Sequence, residues 1–429
     1  MTDLVVRGGT VVLPGVFPAR ADVAIADGRI EAIVAEWTEP ADEVLNAHGL
    51  HVLPGAIDVH VHFNEPGRTD WEGWATGSAA LAAGGGTTCV EMPLNAHPPT
   101  VDGAAFDAKV TAAEAASRVD FALWGGLVPG DLDRLDELAD RGVVGFKAFM
   151  CDSGIEDFAA AGDEVLGAGM ERAAGLGLPV AVHAERPDRL LAMDGGDWQA
   201  WAASRPPAAE LAAIRRALAL AEETGCALHV VHVSTGEGVA AVAEARSRGV
   251  DATCETCPHY LTLTEADMER LGTAAKCAPP LRSAAEREAL WDDLRAGRIA
   301  LVASDHSPCP PAMKEGDFAR AWGGIAGAQS LLALLLDEGM KRGMPLAALA
   351  RLVTGAPADR FKLPKGRLEP GADADLALVD LREGEHGPAL DRHRANPFAG
   401  RRLRGRAVKT LLRGRDASEP HGRLIKPAR

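Results

Sequence analysis

Long apolar runs are missing from this chain: none reaches the roughly eighteen residues that a membrane-spanning helix needs, so no membrane partner is expected. The opening stretch MTDLVVRGGT has no basic segment leading into an apolar one, which argues against a secretory signal. Cysteine is sparse and odd in number, seven residues scattered over 429. A disulfide framework is therefore not expected, and a reducing cytoplasm is the natural setting. Positive charge is also short. Lys and Arg number 45 against 61 Asp and Glu, a net charge of −16, which speaks against nucleic acid as a partner. Only the tail reverses that balance, with ten Lys and Arg and two acidic groups in residues 401–429. Its stretch RAVKTLLRGR reads as strand and turn, and a solvated or inter-subunit face explains its charges more simply than a lipid- or RNA-binding tail. There is no short-period repeat and no low-complexity linker.

What is present is an ordinary globular composition, 47% hydrophobic and 25% charged, in a chain longer than one typical core. Strand-like runs alternate with Ala-, Leu-, Glu- and Arg-rich runs. Strands are expected at 55–63, 86–93, 120–126, 142–150, 179–185, 227–234, 251–260 and 299–308. Helices are expected at 70–84, 103–118, 131–141, 163–177, 207–225, 236–248, 284–297 and 324–342. Eight such units make an α/β fold, a (β/α)8 TIM barrel, the economical reading. The ends differ: 1–52, 363–380 and 402–414 are short strand-like pieces joined by turns. They predict a small β-sandwich built from both termini, 1–52 with 360–429, and a barrel over 53–359 inserted between them. Two separate β caps are the alternative.

Functional residues of such a barrel sit where strands end and the following loops begin. The first strand ends in IDVHVHF, residues 57–63. A two-residue period puts His60 and His62 on one face, with Ile57, Val59, Val61 and Phe63 on the other. The other strand ends carry Lys147, His183, His232 and Asp305. A lone strand histidine is more often a hydrogen-bonded core residue than a ligand, but five strand ends offering metal-type side chains point jointly to a metal centre. Lys147 lies among apolar residues in VVGFKAFM, one of nine lysines in the chain. Burial lowers a lysine pKa by up to about 3–5 units, leaving a neutral amine able to take up carbon dioxide as an anionic carbamate. A snorkelling lysine is the plainer alternative. Cys254 and Cys257 form a Cys-x-x-Cys pair with no second pair at metal spacing, and are read as strand packing. The glycine run 84–86 lacks the Lys-Ser/Thr of a phosphate loop and is read as a helix end leading into the second strand. His259 and His306 flank the site as supporting residues.

Several segments together resemble the cyclic amidohydrolases of the amidohydrolase superfamily, and within them the allantoinases. These are PGAIDVHVHFNEPGRTDWEGWATGSAALAAGGGTT, EMPLNAHPPTVD, GVVGFKAFM, CETCPHY, AKCAPPLR, SDHSPCPPAMKEG and AWGGIAGAQS, and the resemblance spans essentially the whole chain. It implies that His60, His62 and Asp305 hold one divalent ion, that His183 and His232 hold a second, and that carboxylated Lys147 bridges them. Zinc, cobalt or manganese would suit this donor set. Two such ions can lower the pKa of a shared water toward about 7, and Asp305 would pass its proton to the departing ring nitrogen of a cyclic amide. The family also implies a homotetramer.

For substrate, the resemblance implies allantoin, opened to allantoate, with Asn95, Asn64 and the backbone at Cys277 as contacts. Dihydroorotases carry His-x-His-x-Arg and a histidine four residues past the strand-eight aspartate, both gripping a carboxylate. The matching residues here, Asn64 and Cys309, offer no charge-assisted bond. Dihydropyrimidinases and hydantoinases usually supply a tyrosine after the bridging lysine, whereas the one tyrosine here is Tyr260. Allantoinases usually read KCSPP where this chain has Cys277-Ala278-Pro279. A reading from another class, a non-catalytic scaffold on the same fold, would go with lost metal ligands, and all six positions are filled.

Overall fold

A computed structural model describes residues 1–13, 18–130 and 132–428. Asp131, counted into the 131–141 helix, and Arg429, last of the basic tail, lie outside the described residues. The barrel strands are Ala56–Val61, Gly86–Glu91, Asp120–Leu123 with its extension Gly125–Gly126, Phe146–Phe149, Val180–His183, Leu228–Val230, Ala252–Thr256 and Leu301–Val302. Neighbours pair in parallel around the ring. The ring closes where the His62 N–H donates to the His306 carbonyl at 2.7 Å and the Ser304 N–H donates to Asp58 Oδ1 at 3.0 Å.

The helices that follow these strands are Trp74–Ala83, Gly103–Ala116, Arg134–Arg141, Asp163–Leu176, Pro207–Thr224, Gly236–Ser247, Ala284–Arg295 and Leu331–Lys341. Local chemistry sets their ends. Asp102, Thr235 and Ser283 each accept an N–H of the first turn, satisfying donors that a helix start leaves unpaired. The glycine run behaves as a helix exit, with Gly84 capping the first helix and Gly85 at φ +92° before the second strand.

Three expectations are corrected. The 251–260 strand stops at Thr256, because Pro258 cannot donate to a ladder and instead opens a short helix, Pro258–Thr262. The 324–342 helix starts only at Leu331: Ile325 bridges His306 instead, and Ala328–Ser330 forms a 3-10 turn. The first strand does not alternate cleanly. Its pairing slips between Asp58 and Val61. Ile57 and Val59 therefore join the cluster of Ala122, Trp124 and Phe361, while Val61 and Phe63 join that of Trp74 and Leu81. The four do not share one face; a bulge of this kind re-aims side chains and is common beside active sites.

Strands from both chain ends form one sheet in the order Arg415–Asp416, Arg406–Leu412, Leu376–Asp380, His51–Pro54, Thr2–Val11, Ala19–Ala26, Arg29–Val34. Ala41–Asn46 pairs with the first half of Thr2–Val11, and His51–Pro54 with its end. Leu4, Val6, Val23, Ile25, Val52 and Leu376 lie in its core. This is the β-sandwich module beside the barrel.

A buried ion cluster ties the two parts together. Lys365, 1% exposed, reaches Asp120 at the start of the third barrel strand (2.5 Å), Asp373 (2.7 Å) and Asp375 (2.8 Å). Arg413, from the basic tail, also bonds Asp120. Removing one partner of a buried ion cluster strands the others. Lys365→Met should therefore cost about 3–5 kcal/mol of stability in a urea titration, and an unchanged midpoint would show that Arg413 alone satisfies Asp120.

Candidate metal centre

The side chains singled out at the strand ends meet at one rim of the barrel. His60 Nε2 stands 3.2 Å and His62 Nε2 3.6 Å from Asp305 Oδ1, and ligand-type atoms of all three lie within 4.8 Å of one another. His183 Nδ1 faces His232 Nε2 at 3.0 Å. The rings of His60 and His232 are 5.4 Å apart, so the two groups adjoin. All four histidines are buried.

The opposite ring nitrogens decide what these faces can do. His60 Nδ1 is bonded to Glu255 Oε1 at 2.5 Å, His62 Nδ1 to the Leu94 carbonyl at 2.7 Å, and His183 Nε2 to Glu185 Oε2 at 2.8 Å. An oxygen without a proton can only accept, so each of these nitrogens carries the hydrogen. The inner nitrogen of each ring is left with a lone pair. Burial also pushes the His62 and His183 pKa down and that of His232 far down, keeping the rings neutral. Burial would raise Asp305, but the imidazoles of His60 and His62 beside it outweigh this and hold the carboxyl well below the usual range. Neutral imidazoles converging on an ionised carboxylate are a donor set for a divalent ion.

Lys147 Nζ is buried and has no hydrogen-bond partner among the described residues. Its amine lies 4.5 Å from the centre of the Phe149 ring, which stacks on His183. Burial lowers its pKa to about 7, with only partial relief from Asp305 and Glu255. His232 and Asp305 both hold positive φ, +41° and +47°. Non-glycine residues seldom adopt that conformation, and surrounding structure must impose it. Around His232 the clamp is Glu210, which accepts the Ser234 N–H and hydroxyl at 2.7 Å each.

The positioning groups went unnoticed in the sequence. Glu255 joins His60 to His229 (3.0 Å), and His229 joins Thr253 (2.8 Å), a chain running down the barrel interior. Burial would raise Glu255, but His60 and His229 outweigh it and hold it at about 2. Arg205 backs Glu185. Glu91, paired with Lys109 in a fully buried ion pair, accepts the N–H groups of Phe63 (3.2 Å) and Asn64 (3.3 Å), so it shapes the turn after the histidines. The only advance signal for Glu255 was its place on a strand two residues before the Cys257-Pro258 break.

The supposed substrate contacts are mutually engaged. Asn95 Nδ2 donates to Asn64 Oδ1 at 3.2 Å, and Asn64 Nδ2 to the Pro308 carbonyl at 3.4 Å. The Cys277 carbonyl accepts the Trp201 indole N–H at 3.2 Å. His259 is buried, its Nε2 without a partner among the described residues, and burial lowers its pKa to about 4. His306 Nδ1 accepts the Gly327 N–H at 3.1 Å, a structural bond. Cys254 and Cys257 are free and buried in the core around the strands.

Comparison with known proteins bears on this site. The Amidohydrolase family matches residues 51–415. An allantoinase of Rubrobacter xylanophilus is 57% identical, over 100% of this chain and 98% of the relative. One of Solibacter usitatus is 55% identical, over 96% of this chain and 93% of the relative. Among solved structures, the L-hydantoinase of Arthrobacter aurescens superposes with a TM-score of 0.95 at 35% identity, covering 99% of this chain and 100% of that one.

Glu255→Gln keeps the shape but removes the charge behind His60 and leaves a single oxygen to accept from either His60 or His229. It should weaken metal affinity by about 10–100-fold in a chelator competition while the melting temperature of the metal-free protein stays close to wild type. Unaltered affinity would mean that Glu255 only fills space.

Proposed function

The chain belongs to the amidohydrolase family, and from that premise we propose that it opens the cyclic amide of allantoin to give allantoate. The observation that carries this reading is the convergence of four inner imidazole nitrogens, an ionised carboxylate and an orphaned amine on one buried rim. The family has a divalent metal centre, and the donor set fits one. His60, His62 and Asp305 would hold one ion, His183 and His232 a second, with zinc the first choice and cobalt or manganese compatible. Lys147, with a pKa near 7, would add through its neutral amine to carbon dioxide, forming a C–N bond and releasing one proton. The resulting carbamate is an anion with two oxygens, suited to lie between the ions.

When bound, such ions lower the pKa of a water and draw electron density from a carbonyl oxygen. The chain's own residues do the rest. Asp305, ionised and placed against both histidines of the first strand, takes a proton from the attacking water and delivers it to the ring nitrogen as the C–N bond breaks.

Substrate choice is supported by the named relatives and by two features of the site. Asn64 is spent on Asn95 and Pro308, and Cys309 is buried with its thiol pKa raised, so neither can bind a substrate carboxylate as a dihydroorotase requires. The likeness to an L-hydantoinase keeps a hydantoinase reading as the second choice. Against it, Tyr260 donates its hydroxyl to the Pro279 carbonyl at 2.6 Å and is not free to stabilise an oxyanion. The proposal includes a cytoplasmic setting, supported by seven free, buried cysteines. It also includes a homotetramer, supported by family resemblance alone. No described helix is long and apolar enough to cross a membrane.

A panel of allantoin, dihydroorotate, dihydrouracil and hydantoin, with metal content measured in parallel, tests the reading; turnover is expected on allantoin, and preference for dihydroorotate would overturn it. Lys147→Ala should abolish turnover, with partial recovery on adding short carboxylic acids. Activity like wild type in that variant would remove the bridging role. His60→Ala should lower the bound metal, and an unchanged content would refute the first-strand assignment.

A further inference from the structure

Trp322 lies in the connection after the eighth barrel strand, yet its ring meets two other connections. It packs edge-on against Trp71, after the first strand, with centroids 5.0 Å apart at 71°. A side-chain carbon placed on Gly154, after the fourth strand, would stand 3.5 Å from the same indole. In an eight-stranded barrel the fourth and eighth strands face each other across the axis. Connections leaving them at the same end can meet only across the mouth. The indole of Trp322 therefore lies across the mouth, at the end of the barrel that carries the candidate ligands.

Its backbone is clamped in place. Lys314 Nζ donates to the carbonyls of Thr273 (3.1 Å), Trp322 (2.9 Å) and Gly324 (2.7 Å). Lys276 Nζ donates to the Ala321 carbonyl at 2.5 Å, and the Gly324 N–H returns to the Lys276 carbonyl at 2.7 Å. Gly324 has φ +153°, and a Cβ there would come within 2.1 Å of the Ser307 carbonyl oxygen, so this backbone fits one way. The indole Nε1 of Trp322, by contrast, is buried with no hydrogen-bond partner among the described residues. A buried N–H left unpaired is costly and calls for a partner in the working state.

We propose that Trp322 is a specificity-determining residue whose indole N–H donates to the carbonyl of the substrate's ureido arm, and that Lys314 is the positioning residue that holds the ring over the mouth. This rests on the allantoin reading above and adds the group that recognises the arm distinguishing allantoin from a bare hydantoin ring.

Trp322→Phe keeps an aromatic ring and removes only the donor. It should raise KM for allantoin about tenfold, the worth of one hydrogen bond, with kcat within about twofold and metal content unchanged. The inhibition constant of hydantoin, which has the ring without the arm, should not move. Lys314→Met should raise KM in the same direction, again without metal loss, and Lys314→Arg should restore part of it. A Trp322→Phe enzyme with unchanged KM, or one that loses hydantoin binding by the same factor, overturns the inference. If that variant does not fold, Lys314→Met decides, and an unchanged KM there overturns it. Wild-type protein inactive on allantoin would instead overturn the substrate reading and this inference with it.

Discussion

A buried imidazole has two nitrogens, and in this barrel the outer one settles the role of the inner one. Glu255, the Leu94 carbonyl and Glu185 each take a hydrogen from a ring nitrogen of His60, His62 and His183. That fixes the tautomers, sets the ring planes and points three lone pairs toward Asp305 and His232. Without those acceptors the rings would be free to turn, and their convergence would lose its chemical meaning. The rest of the structure can be understood as support for the acceptors: His229 and Thr253 beneath Glu255, and Arg205 behind Glu185.

The same accounting explains the lysines. The chain has nine, and several are buried, each with a different solution to the cost of an enclosed ammonium. Lys109 is paired with Glu91 and braces the turn after the first strand. Lys365 sits among three aspartates and fastens the barrel to the sheet. Lys276 and Lys314 spend their hydrogens on backbone carbonyls and fix the connection that carries Trp322. Lys147 has none of these: its amine is buried without a hydrogen-bond partner among the described residues, and burial lowers its pKa to about 7.

Ion pairs brace the fold at both ends of the strands: Lys365 meets Asp120 where the third strand starts, while Glu91 with Lys109 and Glu185 with Arg205 stand beside the rim. Backbone strain is also present at the rim. His232 and Asp305 both hold positive φ, and the first strand slips its register just before His60. Such departures persist where surrounding contacts over-determine the backbone, as the Glu210 clamp does beside His232.

The amino-acid order alone determined the alternation of strands and helices, because hydrophobic period and turn residues are local properties. It also marked the six rim residues, because histidine, lysine and aspartate at strand ends stand out from apolar neighbours. Tertiary structure decided what no local pattern encodes. Glu255 is 195 positions from His60 and looks like any acidic residue on a strand until the barrel closes. The slip that sends Ile57 and Val59 one way and Val61 and Phe63 the other depends on pairing with the second strand. Asn64 and Asn95, 31 positions apart, come within hydrogen-bond distance only through the fold. Trp322 acquires a role only because loops from opposite sides of the barrel meet across its mouth, a proximity set by the closure of the ring and not by any spacing along the chain.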